Sequence, residues 1–323
     1  MKITHLILAC GLAAMGAQAA AQSADYPNRP IRLVIGFAPG GAADTVARSM
    51  SEAFGKALGQ TVVVENKPGA GSSIAADYVV KAPADGYTVL IASPSSISIN
   101  PALNPKLTYS GKDLKAVTKI TTSPLVLAVS TKTNIKSVQD LIKEAKARPG
   151  ALNYATSGNG SAPHLGAALF TLLTGTQMTH IPYRGGAPAI QSVMAGDTDL
   201  SFGTAPSVLA QVDSGKLRAI AVSTSEKSAL VPNLPGMREA GLPDYNLEFW
   251  YGVFVPKNTP DDIVKKIYDA AVFAMKQDSV KKVLAREGTE PALSASPEAF
   301  SKFLAQDESF WIKLAKDANI VLN

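Results

Sequence analysis

Ile31-Arg32-Leu33-Val34-Ile35-Gly36-Phe37-Ala38-Pro39-Gly40-Gly41-Ala42-Ala43-Asp44 passes from an apolar, β-branched run into a glycine pair and then into a helical pattern. Ile31–Phe37 reads as a buried strand. From Asp44 to Leu58, apolar residues at Val46, Met50, Ala53, Phe54 and Ala57 fall on one helical face. A strand that ends in Gly-rich chain and feeds a helix is the unit of open α/β sheets. In such sheets, ligands sit at the carboxyl ends of the strands.

The same alternation continues outward. Thr61–Val64 is the next strand, Ile74–Lys81 a helix and Thr88–Ala92 a third strand. This βαβαβ order predicts a parallel sheet with helices on both faces. After a loop-rich stretch the rhythm restarts. Strands are expected at Leu125–Ser130, Leu152–Ala155, Gln177–Ile181, Leu200–Gly203 and Leu217–Ser223, with helices at Ser137–Ala147, Pro163–Leu173 and Ala187–Ala195. Phe249–Val255 is a late apolar run, followed by helices at Asp261–Met275, Ser279–Arg286 and Pro297–Ala315. The chain thus reads as two α/β units. Crossovers near Thr122–Val126 and Asn246–Val253 would insert the second unit into the first. The expected division is residues 24–124 and 248–323 for one domain and 125–247 for the other.

Composition fits this size. With 323 residues, 46% hydrophobic and 18% charged, the chain can bury two cores, and wholesale disorder is excluded. The net charge of +5 comes from dispersed residues, with no basic cluster of the kind that binds nucleic acid. The N-terminus has its own logic. Met1-Lys2 is followed by an apolar run to Met15 and by small-x-small sites such as Ala17-Gln18-Ala19, so residues 1–23 read as a secretory signal peptide cleaved near 19–23. The single cysteine, Cys10, lies inside it. Lipid anchoring there would need a longer apolar run before it. The expected product is an exported, periplasmic, monomeric chain without disulfides.

Three Gly-rich turns sit where a strand gives way to a helix, where free backbone N–H groups and the helix dipole favour an anion. The first, Phe37-Ala38-Pro39-Gly40-Gly41-Ala42-Ala43-Asp44, lets a ligand approach the backbone closely. Asp44 either caps the helix or faces an ammonium or hydroxyl group. The second, Asn66-Lys67-Pro68-Gly69-Ala70-Gly71-Ser72-Ser73, lacks the third glycine of a dinucleotide fingerprint. Ser72 and Ser73 read equally as caps or as ligand contacts. The third, Thr156-Ser157-Gly158-Asn159-Gly160-Ser161-Ala162-Pro163-His164, is the densest donor cluster in the chain. Ala92-Ser93-Pro94-Ser95-Ser96 and Gly203-Thr204-Ala205-Pro206 add hydroxyls at strand ends. Arg184, in Tyr183-Arg184-Gly185-Gly186, reads equally as a carboxylate clamp or a surface ion pair.

Catalytic templates are missing. There is no G-x-S-x-G elbow, no G-x-x-x-x-G-K-[ST] loop and no H-E-x-x-H. His5, His164, His180 and Cys10 have no metal-site spacing, and no cofactor or metal is expected. Donors without acid–base machinery suit a binder that holds an anion and releases it unchanged. Two other readings stay open: an exported hydrolase using Ser157 or Ser161 with His164, and a sensor that presents its closed form to a receptor.

These residues resemble a known family, the periplasmic substrate-binding proteins of tripartite tricarboxylate transporters, also called the Bug family. The resemblance is carried by Tyr26-Pro27-Asn28-Arg29-Pro30, Pro39-Gly40-Gly41-Ala42-Ala43-Asp44, Glu65-Asn66-Lys67-Pro68-Gly69-Ala70-Gly71, Ala82-Pro83-Ala84-Asp85-Gly86-Tyr87, Ser157–His164, Tyr183-Arg184-Gly185 and Trp250-Tyr251-Gly252, in that order along the chain. It implies a type II periplasmic binding protein fold, two α/β domains closing like a flytrap on a small carboxylate. It also implies delivery to the membrane permease subunits of a tripartite transporter. Together with the loop reading, it gives Phe37, Ala38, Pro39, Gly40, Gly41, Ala42, Asp44, Ser72 and Ser93 as first-domain ligand candidates. Ser157, Gly158, Asn159, Ser161, His164, Thr204 and Ala205 are their second-domain counterparts. Ala42-Ala43 fills two variable positions and removes any hydroxyl there that could read the ligand.

Overall fold

The computed structural model describes residues 26–286 and 288–318. The signal-peptide and Cys10 expectations lie outside these residues. The first half begins with β1 (Ile31–Ile35), α1 (Ala42–Leu58), β2 (Val62–Asn66), α2 (Ser73–Val80) and β3 (Thr88–Ala92). A π-helical turn, Ser95–Ile99, runs into a short α-helical turn, Asn100–Leu103. The 17-residue β4 (Leu114–Ser130) then carries the chain into the second half.

That half contains α3 (Val138–Ala147), β5 (Asn153–Thr156), α4 (Ala162–Thr174), β6 (Thr179–Pro182), α5 (Gly186–Ala195), β7 (Leu200–Thr204), α6 (Ala205–Asp213) and β8 (Leu217–Val222). Strand β9 (Glu248–Pro256) returns the chain. It is followed by α7 (Asp261–Lys276), α8 (Asp278–Arg286), β10 (Glu290–Pro291) and α9 (Pro297–Asp317).

The strands follow the order β2-β1-β3-β9-β4-β7-β5-β6, with β8 and β10 also paired to β4. The sheet is mixed rather than parallel throughout, which corrects the sequence expectation. β1, β2 and β3 are parallel, and so are β5, β6 and β7. Between these groups run β4 and β9, antiparallel to each other and to their neighbours. The cause is the path of the chain, because β4 leaves the first half and β9 comes back. Along β4 the partner changes from β9, with Pro124 opposite Glu248, to β7, with Leu125 opposite Thr204.

The helices cover the sheet with their apolar faces. On α1, Val46, Met50 and Phe54 are fully buried and join Ile267 and Ala271 of α7 in the main core. Burying side chains of this size stabilises the fold by roughly 1.5–3 kcal/mol each. Two helices away from the seam between the halves carry side-chain caps. Ser137 accepts from the Asp140 N–H on α3, and Ser296 accepts from the Ala299 N–H on α9. Among the described residues, no helix is long and apolar enough to cross a membrane.

Candidate functional site

A cavity lies between the halves, with about 450 Å³ of space between its walls, open solvent included. The first half contributes Phe37, Gly41, Ala42, Ala43 and Ser95, with Phe249 and Tyr251 from β9. The second half contributes Ser157, Ala162, Pro163, Gly186, Ala189, Ile190, Ser201, Gly203, Thr204 and Ser207. No Lys, Arg, His, Asp or Glu stands among these lining residues.

Four helices start at this cavity. The N-cap positions of α1, α4, α5 and α6 are Gly41, Ser161, Gly185 and Thr204, and none makes a side-chain cap hydrogen bond. Gly41, Gly186 and Thr204, with Ala162 and Pro163, form the wall at these starts. Glycine at a helix start has no side chain to cap with, and Ser161 leaves its hydroxyl unused. First-turn amides without a side-chain cap, and a partial positive charge of about half a unit at each helix start, therefore lie at the cavity wall. Such a place holds an anion without a basic side chain.

Hydroxyls add to the amides. Ser72, Ser93, Ser95, Ser96 and Ser161 are each at most 1% exposed, and their Oγ atoms have no hydrogen-bond partner in the chain. Ser95 lines the cavity itself. A buried hydroxyl left unpaired costs about 1–3 kcal/mol. Of the five, Ser95 is the one in the wall, where a polar guest would satisfy its hydroxyl. Tyr251 has a different arrangement. Its hydroxyl accepts the Ala43 N–H, while burial pushes its ionisation well above the ordinary phenol range.

Asp44 is neither the cap residue nor part of the cavity wall. It is the third residue of α1, whose N-cap is Gly41. One carboxylate oxygen accepts the Gly40 N–H at 3.1 Å and Arg48 Nε at 2.9 Å, and the other accepts Asn66 Nδ2 at 3.0 Å. Burial alone would raise the Asp44 carboxyl. These three donors outweigh it and hold the group below the ordinary carboxylate value. Asn66 also donates to the Phe37 carbonyl at 3.0 Å. Asp44 and Asn66 together fix the shape of the first loop.

The second loop meets the third across the seam. Gly71 adopts φ 60°, and a Cβ there would come within 2.4 Å of the Asn159 carbonyl and 2.7 Å of Asn100 Nδ2. Gly158 adopts φ 125°, and its Cβ would approach the Gly71 N at 3.4 Å. Only glycine allows both the left-handed backbone and this approach. Ser72 is at the N-cap position of α2 without capping it. Ser73 accepts Asn100 Nδ2 at 2.9 Å.

Beneath the third loop lie two histidines. His164 Nδ1 accepts the Gly160 N–H at 3.1 Å, and His180 Nε2 lies 2.6 Å from Thr156 Oγ1. Thr156 Oγ1 in turn accepts the Gly158 N–H at 3.2 Å. His164 therefore supports the loop from behind. It lines a separate surface depression with Asn159, Tyr154 and His180, which contains no charged side chain. No Ser–His pair is formed, since the Ser161 hydroxyl has no partner and His164 Nδ1 is occupied by Gly160.

Of the candidates read from sequence, Phe37, Gly41, Ala42, Ser157 and Thr204 come together in the cavity wall. Ala38, Pro39 and Gly40 are in the loop beside it, where a Cβ on Gly185 would approach the Ala38 N at 3.1 Å. Ser72, Ser93 and Ser161 are buried outside the wall, as is Ala205, the first residue of α6. Gly158 belongs to the seam. Asn159 and His164 face the depression behind the loop. Arg184 is exposed and outside the cavity wall. Absent from the sequence candidates are the wall residues Ala43, Ser95, Ala162, Pro163, Gly186, Ala189, Ile190, Ser201, Gly203, Ser207, Phe249 and Tyr251. Ser95 belongs to the hydroxyl loop Ala92-Ser93-Pro94-Ser95-Ser96 and Tyr251 to Trp250-Tyr251-Gly252, so the sequence carries a signal for both. Among the described residues no cluster of His, Cys, Asp and Glu could hold a metal.

Residues 46–320 match the model of the tripartite tricarboxylate transporter family receptor, TctC. The chain belongs to that family. Protein BugT of Bordetella pertussis is 34% identical to this TctC chain over 326 residues, the whole length of both. Two solved structures are similar throughout. Rpa4515 of R. palustris with adipate has a TM-score of 0.88 at 33% identity, covering 92% of this chain and 99% of that one. MatC of Rhodopseudomonas palustris with bound malate has a TM-score of 0.85 at 30% identity, covering 90% and 99%. The two-domain α/β architecture of the TctC receptors is thus the architecture of this chain.

Proposed function

We propose that this TctC receptor is a periplasmic solute-binding protein, not an enzyme. It captures a small carboxylate between its halves and hands it to the membrane subunits of a tripartite transporter. The observation that carries this reading is the meeting of four uncapped helix starts with the unpartnered Ser95 hydroxyl at one cavity without charged side chains. Adipate and malate in two similar structures support the ligand class. Export follows from residues 1–23 acting as a cleaved signal peptide.

Domain division at 124/125 and 247/248 makes β4 and β9 the two connections about which the halves open and close. A ligand that touches both halves favours the closed form by its differential affinity for it. Micromolar binding needs about −8 kcal/mol. Hydrogen bonds to a charged acceptor contribute roughly 1.5–3 kcal/mol each, so four to six suffice after the costs of association.

The test is calorimetry on ligand-stripped protein with mono-, di- and tricarboxylates. One-to-one binding of a dicarboxylate at micromolar or tighter Kd is expected. Silence across the whole panel would contradict the proposal.

A further inference from the structure

The cavity wall differs from that of a general acid-binding site in what its polar groups are already doing. Ser201 Oγ donates to the Ala155 carbonyl at 2.8 Å, and Thr204 Oγ1 and Ser207 Oγ pair with each other at 3.1 Å. Both oxygens of Asp44 are held by Gly40, Arg48 and Asn66, and the residue is outside the wall. No carboxylate therefore faces the cavity. Ala42, Ala43, Ala189 and Ile190 add methyl and aliphatic groups to the wall.

Helix starts flank this apolar wall from both halves, α1 on one side and α4, α5 and α6 on the other. Negative charge is favoured at the helix starts, and hydrocarbon against the side chains of Ala42, Ala43, Ala189 and Ile190. A substituent ammonium would be stripped of water with no anion to meet it. A substituent hydroxyl would find Ser201, Thr204 and Ser207 already paired and the Ser95 hydroxyl free, a smaller penalty.

We infer that the site selects an unsubstituted α,ω-dicarboxylate over its 2-amino and 2-hydroxy analogues of equal length. This rests on the proposed carboxylate capture and narrows its ligand class.

The test is calorimetry of ligand-stripped protein with succinate, malate and aspartate, and with adipate and 2-aminoadipate. In whichever length series binds, the unsubstituted diacid is expected to bind tightest. The 2-amino analogue should be at least about a hundred-fold weaker, and malate about ten-fold weaker than succinate. An amino or hydroxy analogue that binds as well as its parent overturns the inference and leaves carboxylate capture standing. Silence with all five compounds overturns the inference, and silence that extends to mono- and tricarboxylates overturns carboxylate capture as well.

The Ala42→Ser variant adds a hydroxyl at the start of α1. It should move the malate-to-succinate affinity ratio toward malate by several-fold, a ratio that a general loss of folding would leave unchanged. An unmoved ratio in well-folded variant counts against the assignment.

Discussion

His164 and His180 lie face to face under the third loop, with ring centroids 3.9 Å apart and planes within 11° of parallel. Tyr154 stacks against His180 at 5.1 Å. Burial pushes His164 down to about 3, with neighbouring His180 adding to the effect, and pushes His180 down to about 4. His164 Nδ1 accepts the Gly160 N–H and must stay unprotonated to keep that bond, while His180 Nε2 pairs with Thr156.

A pH dependence follows. Unfolded histidine takes up a proton near 6.5. Between that pH and about 4 the unfolded chain binds protons that the folded one refuses, so stability falls as pH falls. Each histidine contributes a slope of up to about 1.4 kcal/mol per pH unit. Asp307 acts in the opposite sense. Burial raises it to about 6 against the bond from Trp250 Nε1 at 2.9 Å, so the folded state gains on acidification below that value. Denaturant unfolding of Asp307→Asn between pH 6.5 and 4.5 should therefore show a steeper loss than the natural protein. A flat profile in that variant would refute the neutral-pair assignment.

Asp44→Ala removes the acceptor that holds Gly40, Arg48 and Asn66 together. Asn66 Nδ2 keeps its bond to the Phe37 carbonyl but loses the acceptor for its other hydrogen. The expected cost is about 1–3 kcal/mol of stability, with a further loss of dicarboxylate affinity because the first loop is no longer shaped. Denaturant unfolding and calorimetry on the same sample check both. Unchanged affinity would mean that the loop does not hold the ligand.

Gly71→Ala tests the seam. The added Cβ meets the Asn159 carbonyl, a backbone atom that cannot rotate away. The left-handed backbone adds about 1 kcal/mol of strain. Each half should still fold, but closure is obstructed, and affinity should fall at least about ten-fold. Small-angle scattering with saturating ligand should show the natural protein contracting and the variant staying extended. Equal contraction would place the closing contact elsewhere.

Ser95→Ala separates stability from function. The hydroxyl is 1% exposed and has no partner, so its loss should raise the stability of ligand-free protein by up to about 1 kcal/mol. The same change should weaken dicarboxylate binding about three- to ten-fold. A variant that loses stability without losing affinity would show that Ser95 serves the fold.

How far the sequence could be read depended on local regularity. Thr88–Ala92 matched residue for residue, because a buried threonine and four buried apolar residues are bounded by turn residues. The first eleven residues of β4 escaped notice. Register shifts at Ala116/Thr118 and Lys119/Thr121 break the alternation, and Pro124 imitates a terminus. Helix α6 was hidden by its Ala205-Pro206 start and short length. The serine-rich Ser95–Ile99 turn has little helical propensity and is helical through burial in the tertiary fold. The glycine loops were legible as loops, but no one-dimensional signal shows that Asp44 turns away or that His164 works from behind.

The claim on which these expectations rest is that main-chain amides at helix starts hold the ligand's carboxylates. A ¹⁵N–¹H correlation titration of stripped protein with adipate or succinate reads those amides directly. The largest shifts should fall on Gly41, Ala42, Ala162 and Gly186, saturating with the calorimetric Kd. Binding accompanied by shifts confined to the charged depression around Lys132, Lys143 and Arg148, with the helix starts unmoved, would contradict the account.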